Sequence, residues 1–200
     1  MVSPGEEKAW EILTELDPAV VCRNASVLYD AKQKKYTVKC LCSEFSILMD
    51  TKQIKSNDPT GEFLIKKHGY FFIHSCLWYL IHAKDIPCTG KLVRPGDIRG
   101  GNIFFRGSHL LPLENLAIKY GEDKEAFIKR SGELCAEIVP YGDIAVQLFP
   151  MPKIPVILIL WFRDAEFPAR ADLLFDSSCE LHLPLDILWS LAMLGVLVLL

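Results

Sequence analysis

Ile144-Ala-Val-Gln-Leu-Phe149, Val156-Ile-Leu-Ile-Leu-Trp-Phe162 and Ala169-Arg-Ala-Asp-Leu-Leu-Phe175 decide the fold. Each is a short run dominated by aliphatic and aromatic residues, and the links between them contain Pro150-Met-Pro-Lys153 and Arg163-Asp-Ala-Glu-Phe-Pro168. Links this short and this rich in turn formers leave no room for a crossover helix, so the three runs predict an antiparallel meander. The middle run is apolar on both faces and is expected to be the central strand, covered by helices on at least one side.

Working outward, Leu113 to Tyr120, ended by Gly121, and Lys124 to Cys135 show helical spacing, the latter with Phe127, Ile128 and Leu134 on one side. Pro87 to Ser108 is rich in glycine, proline and arginine and reads as an ordered irregular loop, with short extended pieces at Leu92-Val93 and Ile103 to Phe105. Glu62 to Ala83 is long and strongly apolar, a central helix bent at Gly69, and residues 51–61 before it read as a polar loop. Val27 to Asp30, Tyr36 to Cys42 and Phe45 to Met49 read as strands, the last two by apolar alternation. Pro4 to Leu16 is an amphipathic helix with Ser3 as N-cap, broken at Asp17-Pro18. These elements predict a single domain over residues 1–200 of α+β class: an antiparallel sheet of hairpins packed on a central helix, with shorter helices around it.

Half of the 200 residues are hydrophobic and 24% are charged, a globular balance. The net charge of −3 gives no global attraction for a polyanion, which argues against nucleic acid. Seven cysteines are scattered without a C-x-x-C pair, and no basic stretch followed by an apolar one opens the chain. Free thiols and a cytoplasmic location are the expectation. Residues 187–200 carry one polar residue, Ser190. As a helix that run is about 20 Å long against a hydrocarbon core of about 30 Å, so it is expected to be a buried closing helix, and a membrane association is disfavoured.

The best ligand candidate is the stretch from Lys91 to His109, which combines Arg94, Arg99 and Arg106 with Gly96, Gly100, Gly101 and Gly107 and with Phe104 and Phe105. Glycines let backbone N–H groups approach an anion, guanidinium forks bind carboxylate or phosphate bidentately, and rings stack on a planar group. A solvated structural crossover would use the same glycines for backbone geometry. The central helix adds His74, Cys76, Trp78 and His82, where an imidazole could ligate the metal of a tetrapyrrole-type cofactor, or where these residues are simply packed. The expected binding set is Trp78, Arg94, Arg99, Gly100, Gly101, Phe104, Arg106 and His109. Cys40-Leu-Cys42 places two thiols at strand spacing, a weak metal signal beside the reading as small core hydrophobes. Cys88 with His82 or His109, and the acidic set Asp164, Glu166, Asp172 and Asp176, are the features an enzyme would use. Lysines 32, 34, 35, 39, 52 and 55 outnumber Asp30, Glu44 and Asp50 and give the first hairpins a basic character suited to an acidic partner.

Gly90-Lys91, Gly100-Gly101 with Phe104-Phe105, Leu116-Ala117 and Tyr120-Gly121-Glu-Asp-Lys-Glu-Ala-Phe127, followed by the final hairpins with Asp164-Ala-Glu-Phe-Pro168 and Leu174-Phe175-Asp176, resemble an uncharacterised bacterial and archaeal family, domain of unknown function 3786. The resemblance covers roughly residues 10–190 and implies a protein of anaerobes, near corrinoid or iron–sulfur chemistry. This chain lacks a four-cysteine cluster, so any cluster would come from an iron–sulfur or corrinoid protein partner. Three readings follow: an accessory protein binding a small anionic or planar ligand such as a corrinoid or other tetrapyrrole, a protein-interaction domain, and a small enzyme using a Cys/His pair.

Overall fold

The structure, a computed structural model, describes residues 4–200. Ser3, the expected cap of the first helix, lies outside the described residues. Helix α1 (Pro4–Glu15) buries Ala9, Trp10 and Leu13. Asp17-Pro18, read as a break, is also a start: the Asp17 carboxylate accepts the Ala19 N–H and Pro18 opens α2 (Pro18–Ala25).

Two sheets form where one was expected. The first has the order β1 (Leu28–Asp30), β2 (Lys35–Cys40), β3 (Ser43–Leu48), β4 (Gln53–Ser56), all antiparallel. Tyr36, Val38 and Cys40 face Phe45 and Ile47 on its buried side, as the alternation predicts. The second strand stops two residues earlier than expected, because Leu41 and Cys42 both take left-handed backbone (φ 49° and 64°) and make a two-residue hairpin turn. Strand β4 lies within the stretch read as a polar loop. Its one buried residue, Ile54, pairs with Ile47, too little alternation to mark a strand.

Asp58 caps the central helix α3 (Pro59–His82), accepting from the Gly61 N–H at 2.8 Å and from the Ser43 and Ser56 hydroxyls. The expected bend falls at His68 (φ −121°, ψ 17°), one residue before Gly69. Beyond it, β5 (Leu92–Val93), a 3₁₀ turn at Pro95–Asp97, α4 (Gly101–Phe104) and a second 3₁₀ turn at Gly107–His109 make the irregular loop; residues 103–105, expected extended, begin in α4 instead. Then follow α5 (Leu113–Tyr120), α6 (Lys124–Gly132), β6 (Glu137–Val139), β7 (Ile144–Met151), β8 (Ile154–Trp161), β9 (Arg170–Asp176), α7 (Cys179–His182) and α8 (Leu185–Leu197). The second sheet has the order β5-β9-β8-β7-β6, with β8 at its centre as predicted.

Helix α3 packs on β3 and β4 and against α1, α2 and α8, while α8 packs on β7 and β8, so the two helices fill the space between the sheets. The sheets also meet directly, through the Leu41 N–H donated to the Phe149 carbonyl at 3.2 Å. A disulfide joins Cys42 to Cys135 with Cα atoms 5.1 Å apart. This corrects the expectation of free thiols, which holds for Cys22, Cys40, Cys76, Cys88 and Cys179. With its ends 93 positions apart in sequence the bond removes about 4–5 kcal/mol of chain entropy from the unfolded state in the loop-entropy account. No helix among the described residues is long and apolar enough to cross a membrane, and α8, as expected, is buried.

Tyr79, fully buried on α3, donates its hydroxyl proton to the Ala25 carbonyl at 2.8 Å and accepts the Lys153 N–H at 3.2 Å. One phenol thus fastens α2, α3 and the β7–β8 turn. Tyr79→Phe leaves both backbone groups without their partner and is expected to cost about 1–3 kcal/mol in urea denaturation, with the fold retained. An unchanged midpoint would show that the phenol is dispensable.

Candidate functional site

Phe71, His74, Trp78 and His82 recur every three or four residues and therefore share one side of α3. Trp78 and His82 stack at 5.3 Å with ring planes 13° apart, and His74 meets Trp78 edge-on at 6.1 Å. Phe71 meets Trp189 of α8 edge-on at 5.7 Å, and the Trp189 indole N–H donates to the His109 carbonyl at 2.9 Å. His109 in turn crosses Trp189 at 5.0 Å and stacks on Phe104 at 4.4 Å. All seven rings are half-buried, and Tyr70, Ile103 and Leu110 beside them are 74%, 78% and 66% exposed. The Trp78 Nε1 is buried without a hydrogen-bond partner among the described residues.

The loop that carries Phe104 and His109 is held by its own backbone. Gly101 is mandatory: a Cβ there would lie 2.0 Å from the Pro95 carbonyl oxygen, and Gly100 sits at φ 81° against Leu185 of α8. The Gly101 N–H is already given to the Ile98 carbonyl at 2.7 Å, so this glycine serves loop closure and not the anion contact expected of it. Arg99 ties the loop to α7 through its backbone N–H, which donates to the Glu180 carboxylate at 3.1 Å. Arg94, Arg99 and Arg106 are exposed, and among the described residues their guanidinium groups have no hydrogen bond or ion pair.

The structure therefore joins Phe104 and His109 in one ring cluster and puts Gly100, Gly101 and the three arginines on the loop beside it. Trp78 belongs to the α3 ladder, and its described ring contacts are with His74 and His82, not with the loop. Trp189, which links the cluster to α3, was missed because it lies in a run conspicuous only for its hydropathy.

Burial lowers the pKa of His74 and His82, against the opposing pull of Asp186 on α8. His182, fully buried on α7, accepts the Lys84 N–H on Nδ1 at 3.1 Å, which puts its own proton on an Nε2 that has no partner. Burial lowers its pKa too, with Lys153 adding to the effect, and His68 is depressed first by burial and then by Lys67.

The features an enzyme would use are dispersed. Burial and the Asp176 carboxylate push the Cys88 thiol up, the wrong direction for a nucleophile, while His82 and His109 are engaged in separate ring stacks. Asp164 closes a turn by accepting the Glu166 and Phe167 N–H groups at 2.8 and 2.7 Å. Asp176 is buried and accepts from the backbone and hydroxyl of both Thr89 and Ser178 and from the Gly90 N–H at 2.7 Å. Burial opposes its charge, but the hydrogen bonds outweigh it and lower the carboxyl to about 2, a structural anchor for the loop after α3. Cys40 points into the core and Cys42 is exposed in the disulfide, so the two sulfurs do not form a metal pair. Among the described residues no group of three or more His, Cys, Asp or Glu could hold a metal ion. On the first sheet, Lys34 pairs with Asp50 at 3.0 Å and Lys39 with Glu44 at 3.5 Å, which blunts its basic character.

A family model described as a domain of unknown function (DUF3786) matches residues 17–197. No curated protein and no solved structure matches the chain.

The four depressed histidines make stability depend on pH. Their unfolded forms take up protons near the ordinary value of 6.5 while the folded forms resist, so their full contribution is present above 6.5 and is lost as pH falls from there through the folded values. The urea midpoint is expected to be lower at pH 5.5 than at pH 7.5, and the difference to shrink in His182→Asn. Equal midpoints would contradict the assignment.

Proposed function

The chain belongs to the DUF3786 family, and on that premise we propose that it is a non-catalytic accessory protein that binds a planar, anionic small molecule at the ring cluster and arginine-bearing loop. The observation that carries the reading is the combination of half-buried stacked rings with three exposed guanidiniums that have no hydrogen bond or ion pair among the described residues. Rings offer stacking area at low entropic cost, and free guanidiniums select carboxylate or phosphate groups at its edge.

Among planar anions, a corrinoid or other tetrapyrrole with carboxylate arms fits this donor set. Burial keeps His74 and His82 neutral, the form in which an imidazole binds a metal. In this reading the protein serves anaerobic metabolism in the cytoplasm, beside an iron–sulfur or corrinoid protein that supplies any cluster. The enzyme alternative finds little support in a protonated Cys88 with its candidate bases in other stacks. The interaction alternative rests on first-sheet lysines that are partly neutralised within the chain.

Protoporphyrin IX, with two carboxylates on a flat ring, is a suitable probe. Arg94→Ala, Arg99→Ala and Arg106→Ala combined are expected to weaken its binding about tenfold or more, since each exposed charged contact is worth up to about 1 kcal/mol. The dimethyl ester of the probe should bind the parent protein as weakly as the free acid binds the triple variant. Titration calorimetry showing equal affinities for all three combinations would overturn the proposal.

A further inference from the structure

We propose that Cys42 and Cys135 are a thiol–disulfide exchange site, a clasp between the two halves of the fold that a dithiol opens and a disulfide closes. Both residues are exposed, and they come from segments 93 residues apart. Their positions are set by backbone that does not depend on the bond between them. Cys42 sits at φ 64° in the hairpin turn whose other residue, Leu41, is buried and hydrogen-bonded to Phe149. Cys135 sits at φ 54° in the turn that ends α6, where its own N–H donates to the Gly132 carbonyl at 3.1 Å and the Ala136 N–H to the Ser131 carbonyl at 3.0 Å. With both turns separately anchored, the sulfurs stay neighbours whether joined or not.

Access and selectivity point the same way. The pair opens into a concavity of about 460 Å³ lined also by Lys39, Glu44, Leu134 and Phe149, room for an incoming thiol. Cys76 and Cys179 are buried away from it, while Cys40, which lines the same concavity but is only 5% exposed, and the exposed Cys88 both have thiols that burial pushes up, so they stay protonated. Burial also holds the thiols of Cys76 and Cys179 up at about 12, so they stay protonated and do not scramble the bond.

The exchange balances with a dithiol as reductant. Its thiolate attacks one of the two sulfurs, the S–S bond breaks, and the other cysteine leaves as a thiolate that takes a proton. The second thiol of the reagent then displaces the first cysteine from the mixed disulfide. Two electrons and two protons pass to the cysteines, and the reagent leaves as a disulfide. Opening the bond removes the covalent tie between the hairpin turn of the first sheet and the segment that ends α6 and continues into β6, the edge strand of the second sheet, so that segment opens locally more often while its resting position is kept. The core, held by α3 and α8, is left in place.

Differential alkylation with mass spectrometry, combined with amide hydrogen exchange on the whole chain, tests this. The expected result is one cross-linked Cys42–Cys135 peptide after incubation with oxidised dithiothreitol and two separately alkylated cysteines after the reduced form. Severalfold faster exchange over residues 124–139 should accompany reduction. The double variant Cys42→Ser, Cys135→Ser should exchange at the faster rate under both conditions. Free alkylation of both cysteines after the oxidant, or a double variant that still responds to the dithiol over 124–139, overturns the proposal.

Discussion

Burial of α8 on all but the stripe of Asp186, Trp189, Met193 and Leu197 is the constraint the rest of the structure depends on. Ile187, Leu188, Leu191, Leu194 and Val196 are 1% exposed or less, and each such side chain contributes about 1.5–3 kcal/mol of burial free energy. A helix this apolar can sit only where apolar surface covers most of its circumference. Here α3 lies on one side and β7 and β8 on the other, so removing α8 would uncover both at once. Gly195 allows close packing, since a Cβ there would already approach the Val156 side chain at 3.3 Å. The far end is fastened by polar contacts: Lys119 donates to the carbonyls of Leu199 and Leu200 at 3.0 and 2.7 Å, and Arg130 donates to that of Val198.

The same helix carries Trp189 and Asp186, so the docking of α8 is also what assembles the ring cluster. Trp189 faces Phe71 on α3 and holds the loop at the His109 carbonyl. The loop's tight backbone around Gly100 and Gly101 then fixes where the arginines emerge. Packing and recognition are thus set by one helix, and a binding surface built on packed elements in this way is more precisely placed than one on a free loop.

The sequence was most legible where one physical signal dominated. Short proline-bearing links and continuous apolar runs identified the meander of β7, β8 and β9, and the absence of polar residues identified a buried closing helix. Helix α2, β4 and β6 escaped because each is short: β4 buries one residue, and the Asp17-Pro18 pair that ends one helix also caps the next. Alternation reveals which face of a strand is buried but not which sheet the strand joins, hence the expectation of one sheet where there are two. The Cys42–Cys135 pairing left no trace in spacing, because 93 residues separate partners brought together only by the fold. At the candidate site, composition marked the arginine- and glycine-rich loop and the Trp78 helix face, while the pairing of His109 with Trp189 depends on tertiary packing.

The four tryptophans offer a direct test of where a ligand binds. Trp189 lies in the ring cluster and Trp78 in the ladder on the same side of α3, whereas Trp10 is buried on α1 and Trp161 lies on the second sheet beneath the Arg170 guanidinium at 3.9 Å. The measurement is the indole N–H region of an ¹⁵N-correlated NMR spectrum, recorded while protoporphyrin IX is titrated into the protein. Binding at the proposed site moves the Trp78 and Trp189 signals and leaves those of Trp10 and Trp161 in place; a spectrum in which none moves, or in which Trp10 or Trp161 responds instead, would contradict it.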